Sequence, residues 1–162
     1  MSFKSILRVT PKEVAWGIFA ILVGAAVIYA GDRLMGISLE LFYGVQTFNP
    51  LWIVTLFFVP FVAGVVVSLI FGLGGKILAY FSPIIVRAYE YNVLYDDRLS
   101  LPDGVTLLPI GFWILIVILA VEAAAIGGVI GEIINKKVYG RTAKSKFHKR
   151  FQKKQNDLSE KV

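Results

Sequence analysis

Three long stretches of apolar residues dominate the hydropathy pattern. They cover about residues 12–31, 51–73 and 106–134, and each is long enough to cross a hydrocarbon layer about 30 Å thick as a helix. Asn49 and Pro50, directly before the second stretch, are typical of a helix N-terminus. The pattern predicts an all-α fold, a polytopic transmembrane helix bundle with three spans.

A fourth segment, residues 77–95, allows two interpretations. Its first half is apolar, whereas its second half carries Arg87, Glu90 and several tyrosines, which are enriched at membrane interfaces. The segment is either a short, kinked fourth crossing or a helix lying at the interface. In both cases the spacing of three residues makes Arg87 and Glu90 a candidate intramembrane ion pair.

Basic residues bear on the number of crossings. With the N-terminus inside, four crossings place fourteen Lys and Arg in the cytoplasm and two outside, whereas three crossings leave six inside and eleven outside. Reversing the three-span protein gives eleven inside and six outside, but it exports the basic N-terminus. The positive-inside tendency favours the first arrangement. Burial of Arg87 opposes it, because a charge at mid-bilayer costs about 2.5 to 3.5 kcal/mol.

The net charge of +6 is concentrated at the C-terminus, where ten of the seventeen Lys and Arg follow Ile134. The chain therefore divides into a transmembrane helical domain, residues 1–135, and a basic cytoplasmic tail, residues 136–162, in the plasma or inner membrane. The tail is either a topology anchor or a docking segment for anionic lipid headgroups or a protein. Without an RNA-binding fold or stacking platform, nucleic acid is not an expected partner. The candidate docking residues are Lys136, Lys137, Arg141, Lys144, Lys146, Lys149, Arg150, Lys153 and Lys154.

Small residues recur at intervals of three and four in every span. Such seams allow close helix contact in lipid, where the hydrophobic effect does not drive helices together. They fit either a compact intramolecular bundle or contact with another membrane subunit or a second copy. The candidate helix-packing residues are Gly17, Gly24, Gly64, Ser68, Gly72, Ala120, Ala124, Gly127, Gly128 and Gly131.

Glu122 lies near the middle of the third stretch, where an ionised carboxylate is expensive. Helical spacing puts it on an apolar face opposite the small residues, so we expect contacts on both sides of this helix. Three interpretations stay open for the carboxyl group: a hydrogen bond to a nearby backbone or hydroxyl group, a proton or cation relay, and pairing with Arg87 or with a partner's cation.

The composition gives little support for catalysis or metal binding. The chain has no cysteine and a single histidine, so we expect no catalytic triad, no metal site and no cofactor. The sequence leads to the hypothesis of a non-catalytic accessory or scaffold subunit of a larger membrane complex. The alternatives are an oligomeric proton or cation channel or carrier that uses Glu122, and a membrane-surface docking protein that acts through its tail.

Overall fold

A computed structural model describes residues 11–159, with all of their side chains except those of residue 46 and residues 137–159. The fold is an all-α helical bundle, as predicted, and a two-stranded antiparallel sheet closes one end. In chain order the elements are α1 (Pro11–Met35), β1 (Leu41–Phe42), a 3-10 turn (Gly44–Phe48), α2 (Pro50–Phe71), α3 (Gly75–Ala79), α4 (Phe81–Asp96), a 3-10 turn (Arg98–Ser100), β2 (Thr106–Leu107) and α5 (Ile110–Ser159).

Three helical stretches are long and apolar enough to cross a membrane: α1, α2 and residues 110–136 of α5. The chain is therefore a membrane protein with at least three candidate spans. The predicted start of α2 is confirmed, since the Asn49 side chain accepts a hydrogen bond from the Trp52 N–H at 2.8 Å. The third helix begins later than predicted, because Thr106 and Leu107 pair with strand β1 instead of joining α5.

The ambiguous segment 77–95 forms α3 and α4, and both pack against the other helices as part of the bundle. Later residues of α3 and α4 contact later residues of α1. A methyl group on Gly17 would lie 3.4 Å from Leu78, the Ser82 hydroxyl donates to the Ile21 carbonyl at 3.1 Å, and Arg87 contacts Asp32. The two short helices together thus run parallel to α1 along the length of the bundle.

The bundle consequently has two distinct ends. The first, here called the basic end, holds the start of α1, the turn between α2 and α3, and Lys136 of α5. The second, the capped end, holds the sheet and the connections that carry it, residues 36–49 and 97–109. A cluster of apolar side chains fills the space below the cap: Leu39, Trp52, Leu56, Leu108, Ile116 and Ala120.

Helices α2 and α5 form the most extensive contact in the bundle. A methyl group on Gly64 would collide with the Ala124 carbonyl oxygen, and one on Gly127 would collide with the Phe61 carbonyl oxygen. Gly131 approaches Ser68 so closely that an added Cβ would lie 2.7 Å from the serine Cβ. Backbone contact of this kind is what small residues permit in membrane helices.

The other predicted packing residues also make their contacts within the chain, with one exception. Ala120 and Ala124 are fully buried, a Cβ on Gly24 would lie 2.5 Å from Val67, and one on Gly128 would lie 2.8 Å from the Lys76 Cα. The exception is Gly72, which has only the Asn135 side chain of α5 near it.

Gly72 ends α2 instead. Its φ is +87°, a backbone conformation that residues with a Cβ rarely adopt. Its N–H donates to the Ser68 carbonyl at 2.9 Å. The nearest atom to an added Cβ is the Asn135 Nδ2, at 3.9 Å. Gly72 therefore serves helix termination, and the remaining seams serve the intramolecular bundle.

Candidate functional site

A fully buried arginine organises the capped end of the bundle. The Arg87 guanidinium on α4 donates to the carboxylates of Asp32, Glu40 and Glu90, at 2.6, 3.0 and 2.9 Å. Asp32 and Glu40 are also buried, with 3% and 1% exposure, and Glu90 is 16% exposed. We call these four residues the Arg87 cluster. The structure brings together the predicted pair Arg87 and Glu90 and adds two acids from elsewhere in the chain.

The end of α1 positions Asp32. Gly36, at φ +64°, takes the left-handed conformation that closes a helix. Its N–H donates to the Arg33 carbonyl, and the Ile37 N–H donates to the Asp32 carbonyl, both at 3.3 Å. These two hydrogen bonds form a Schellman motif. The motif ends α1 three residues after Asp32 and turns the chain toward the cap.

The small sheet positions Glu40. Leu41 pairs with Leu107, and the Leu108 N–H extends the ladder by donating to the Glu40 carbonyl at 2.9 Å. The neighbouring side chains of Leu39 and Leu41 are buried under the cap. With its backbone tied to the sheet, Glu40 keeps its carboxylate beside Arg87.

The Arg87 cluster has more acids than bases. Three carboxylates face one guanidinium, so the four groups carry a charge of −2 when all are ionised. Among the described residues, Asp32 Oδ1, Glu40 Oε2 and Arg87 Nε have no hydrogen-bond partner. Buried charge without a partner is costly. The cluster is therefore suited to holding a proton or a cation in addition to Arg87.

A cavity of about 380 Å³ lies beside the cluster. Asp32, Glu40 and Glu90 contribute to its walls. At its rim Arg33 lies over the Tyr29 ring, 5.2 Å from the ring centroid, and donates to the Tyr29 hydroxyl at 3.0 Å. The full lining is Tyr29, Asp32, Arg33, Gly36, Ile37, Ser38, Glu40, Tyr89, Glu90, Val93 and Leu94.

Glu122 lies on α5, whereas the residues of the Arg87 cluster belong to α1, α4 and the connection to β1. The span Ile110–Lys136 is centred on position 123, so Glu122 lies next to its midpoint, and its side chain is exposed on the outer surface. It has no hydrogen-bond or ion-pair partner among the described residues. The proposed hydrogen bond to a neighbouring backbone or hydroxyl group is thus not formed, and Arg87 is engaged elsewhere.

Glu122 stands at the wall of an apolar hollow of about 350 Å³ between α2 and α5. Phe57 and Phe58 of α2 are 43% and 56% exposed there, and Ile126 of α5 is 58% exposed. The opposite side of α5, including Ala120 and Ala124, is buried against α2. We define the Glu122 face as Leu115, Ile118, Leu119, Glu122, Ile126 and Val129 of α5 with Phe57, Phe58 and Phe61 of α2.

Another buried acid, Glu132 at the basic end, has a role that the sequence did not reveal. Its carboxylate accepts hydrogen bonds from the backbone N–H groups of Gly74 and Lys76, at 2.9 and 3.3 Å. Nearby, the Asn135 amide donates to the Ser68 carbonyl at 3.1 Å, at the end of α2. These contacts satisfy helix termini at the basic end. The signal in the sequence was the glycine-rich turn, which exposes backbone N–H groups.

Asp32 and Glu40 were also missed as site residues. Their signal was the occurrence of acids in apolar surroundings that could pair with a buried Arg87. Of the predicted tail residues, Lys136 is exposed, and the side chains from Lys137 onward lie outside the described ones. Within the described part of the chain no group of acids or histidine is arranged to hold a metal ion.

The chain matches no protein-family model, no curated protein and no solved structure.

Proposed function

We propose that this protein is a non-catalytic accessory subunit of a larger membrane complex, and that a partner's transmembrane helix packs against the Glu122 face. The observation that carries the proposal is Glu122, exposed at the midpoint of a span and without a partner among the described residues. A charged side chain facing lipid at this depth costs on the order of 3 kcal/mol. A partner helix that supplies a hydrogen-bond donor or a cation would remove much of this cost.

The surroundings of Glu122 support a specific kind of partner. Phe57, Phe58 and Ile126 leave a hollow that apolar side chains of a neighbouring helix would enter. The partner helix should therefore carry Arg, Lys, His, Asn or Gln next to an apolar residue. A symmetric second copy fits less well, because a two-fold axis through this face would bring two Glu122 carboxylates together.

The arrangement of charges supports an orientation. The start of α1, the turn before Lys76 and the exposed Lys136 all lie at the basic end. Under the positive-inside tendency this end faces the cytoplasm. We place the protein in the plasma or inner membrane with α3 and α4 as a fourth crossing, and with the basic tail at the cytoplasmic headgroups.

Affinity purification of the tagged protein from its own membranes, followed by native mass determination, tests the proposal. Wild type should carry a second protein, and Glu122→Leu should purify without it while melting at the same temperature. Ile118→Trp and Ile18→Trp form a matched pair, since both isoleucines are about half exposed, at 51% and 54%. Only Ile118→Trp should release the partner. A wild-type protein that is strictly monomeric and alone would contradict the proposal.

A proton or cation carrier that uses Glu122 is the rival function. It is favoured by the same midspan carboxylate, and it requires several copies, because Glu122 lies on the outside of a single bundle. Reconstituted vesicles distinguish the two functions. Under the accessory-subunit proposal, wild-type vesicles show the same proton and cation leak as Glu122→Gln vesicles; a flux that collapses in Glu122→Gln would establish the carrier instead.

A further inference from the structure

We infer that the cavity beside the Arg87 cluster binds a small primary ammonium group. This site is separate from the Glu122 face and does not depend on the accessory-subunit proposal. It rests on four features of the capped end: charge, unpartnered buried oxygens, cavity size and aromatic walls.

Charge sets the sign of the ligand. Every described charged group that lines the cavity or touches its acids comes from α1, the connection to β1, or α4: Asp32, Arg33, Glu40, Arg87 and Glu90. With all of them ionised the total is −1, and the positive member Arg33 stands exposed at the rim. The interior alone carries −2, so a cation is favoured over an anion.

Unpartnered oxygens show where the cation would bind. Asp32 and Glu40 are both more than nine-tenths buried and both line the cavity. Each uses one oxygen for Arg87 and leaves the other, Oδ1 or Oε2, without a hydrogen-bond partner among the described residues. Both oxygens are covered in this structure, so an ammonium group would first meet Glu90 at the cavity wall. Its three N–H donors would satisfy all three carboxylates once Asp32 and Glu40 turn toward it.

The shape of the cavity favours an organic cation over a bare metal ion. A volume of about 380 Å³ is in the range of small-molecule sites and much larger than one ion needs. The acids of the described residues are not arranged as a metal site. Tyr29 and Tyr89 in the wall offer ring faces and hydroxyl groups to an alkylammonium group. The same chemistry is available from a free amine and from an aminophospholipid headgroup.

Thermal melting of the full-length protein in detergent with ethylammonium chloride tests this inference. A saturable rise in Tm of about 3 to 6 °C is expected at a concentration of about ten times Kd. Sodium chloride at equal ionic strength should give no such rise. An equal rise with sodium, or none with ethylammonium, would overturn the inference.

Two kinds of variant locate the effect. Glu40→Gln removes one of the oxygens and should abolish the rise, and Asp97→Asn on the exposed connection after α4 should keep it. Because Glu40→Gln could fail to fold, Val93→Trp serves as a second variant. Val93 is 42% exposed and lines the cavity, so a tryptophan there would fill the cavity without changing a charge. Ile85→Trp, at a 46% exposed position on the same helix outside the cavity, is its control. A rise that persists in Val93→Trp would overturn the site.

Nanodiscs distinguish the two sources of the ammonium group. If a lipid headgroup is the ligand, nanodiscs of phosphatidylethanolamine should raise the Tm of wild type over nanodiscs of phosphatidylcholine, and Val93→Trp should lose this difference. If a free amine is the ligand, only added ethylammonium raises the Tm. Either result supports an ammonium site, and the absence of both would refute it.

Discussion

The Arg87 cluster and Glu122 show two ways of carrying charge in a membrane bundle. In the cluster, three acids from separate elements surround one guanidinium, and every residue has a partner within the chain. Glu122 is a single carboxylate in the middle of a span, with no partner among the described residues. The cluster is buried inside the bundle, whereas under the proposed function Glu122 pairs with a group from a partner helix.

The largest expected effect is a difference in chemical labelling between the two ends of the bundle, which reports the side of the membrane that each end faces. The chain has no cysteine, so Lys76→Cys and Arg98→Cys each introduce a unique thiol, and both positions are exposed. With four crossings, a membrane-impermeant maleimide should label Arg98→Cys in intact cells and Lys76→Cys only after permeabilisation. Labelling of both thiols from the same side would show that α3 and α4 do not cross.

Loss of the guanidinium should strongly destabilise the bundle. Arg87→Ala leaves three carboxylates at the capped end without their common cation, and breaking a buried ion network from one side costs about 3 to 5 kcal/mol. The free energy of unfolding in detergent measures this loss. Arg98→Ala, at an exposed arginine that lies over the Tyr95 ring, is the control and should stay within about 0.5 kcal/mol of wild type. Equal stabilities would show that Arg87 does not hold the cluster.

Close packing of α2 on α5 should tolerate no added methyl group. Gly64→Ala forces a Cβ into the Ala124 carbonyl oxygen, and overpacking of this kind costs about 1 to 3 kcal/mol. In Gly111→Ala the new Cβ meets no atom within 4 Å, so the unfolding free energy should stay unchanged or rise slightly. If both variants behave alike, the α2–α5 seam is looser than described.

Loss of the Glu132 carboxylate should destabilise the basic end by a similar amount. Glu132→Ala leaves the N–H groups of Gly74 and Lys76 without their acceptor, at a cost of about 1 to 3 kcal/mol. Glu132→Gln keeps a carbonyl oxygen in the same place and should lose less than half as much. The same unfolding titration measures both, and an equal loss would show that the charge, not the hydrogen bond, matters.

Local features of the fold followed from the sequence. The apolar stretches gave the long helices, and Asn49 with Pro50 gave the start of α2, because capping depends on neighbouring residues only. The small residues of α5 gave its packing side, since helical spacing alone places Ala120, Ala124 and Gly128 together.

Features that depend on distant contacts could not be predicted. Glu40 reaches Arg87 only because β1 pairs with β2 from another connection, and no local pattern fixes that pairing. The ambiguity of α4 has the same origin, since its charged face becomes compatible with the bundle only when Asp32 and Glu40 are near.

The central claim, that a partner helix packs on the Glu122 face, is tested most directly by crosslinking in native membranes. Ile126→Cys on this face and Leu22→Cys on α1 are both at positions 58% exposed, and each thiol is unique in the chain. A photoactivatable maleimide on Ile126→Cys should give one discrete adduct with a different protein, lost on adding Glu122→Leu, whereas Leu22→Cys should give none. Equal adducts at both positions, or no protein adduct at Ile126→Cys, would contradict the claim.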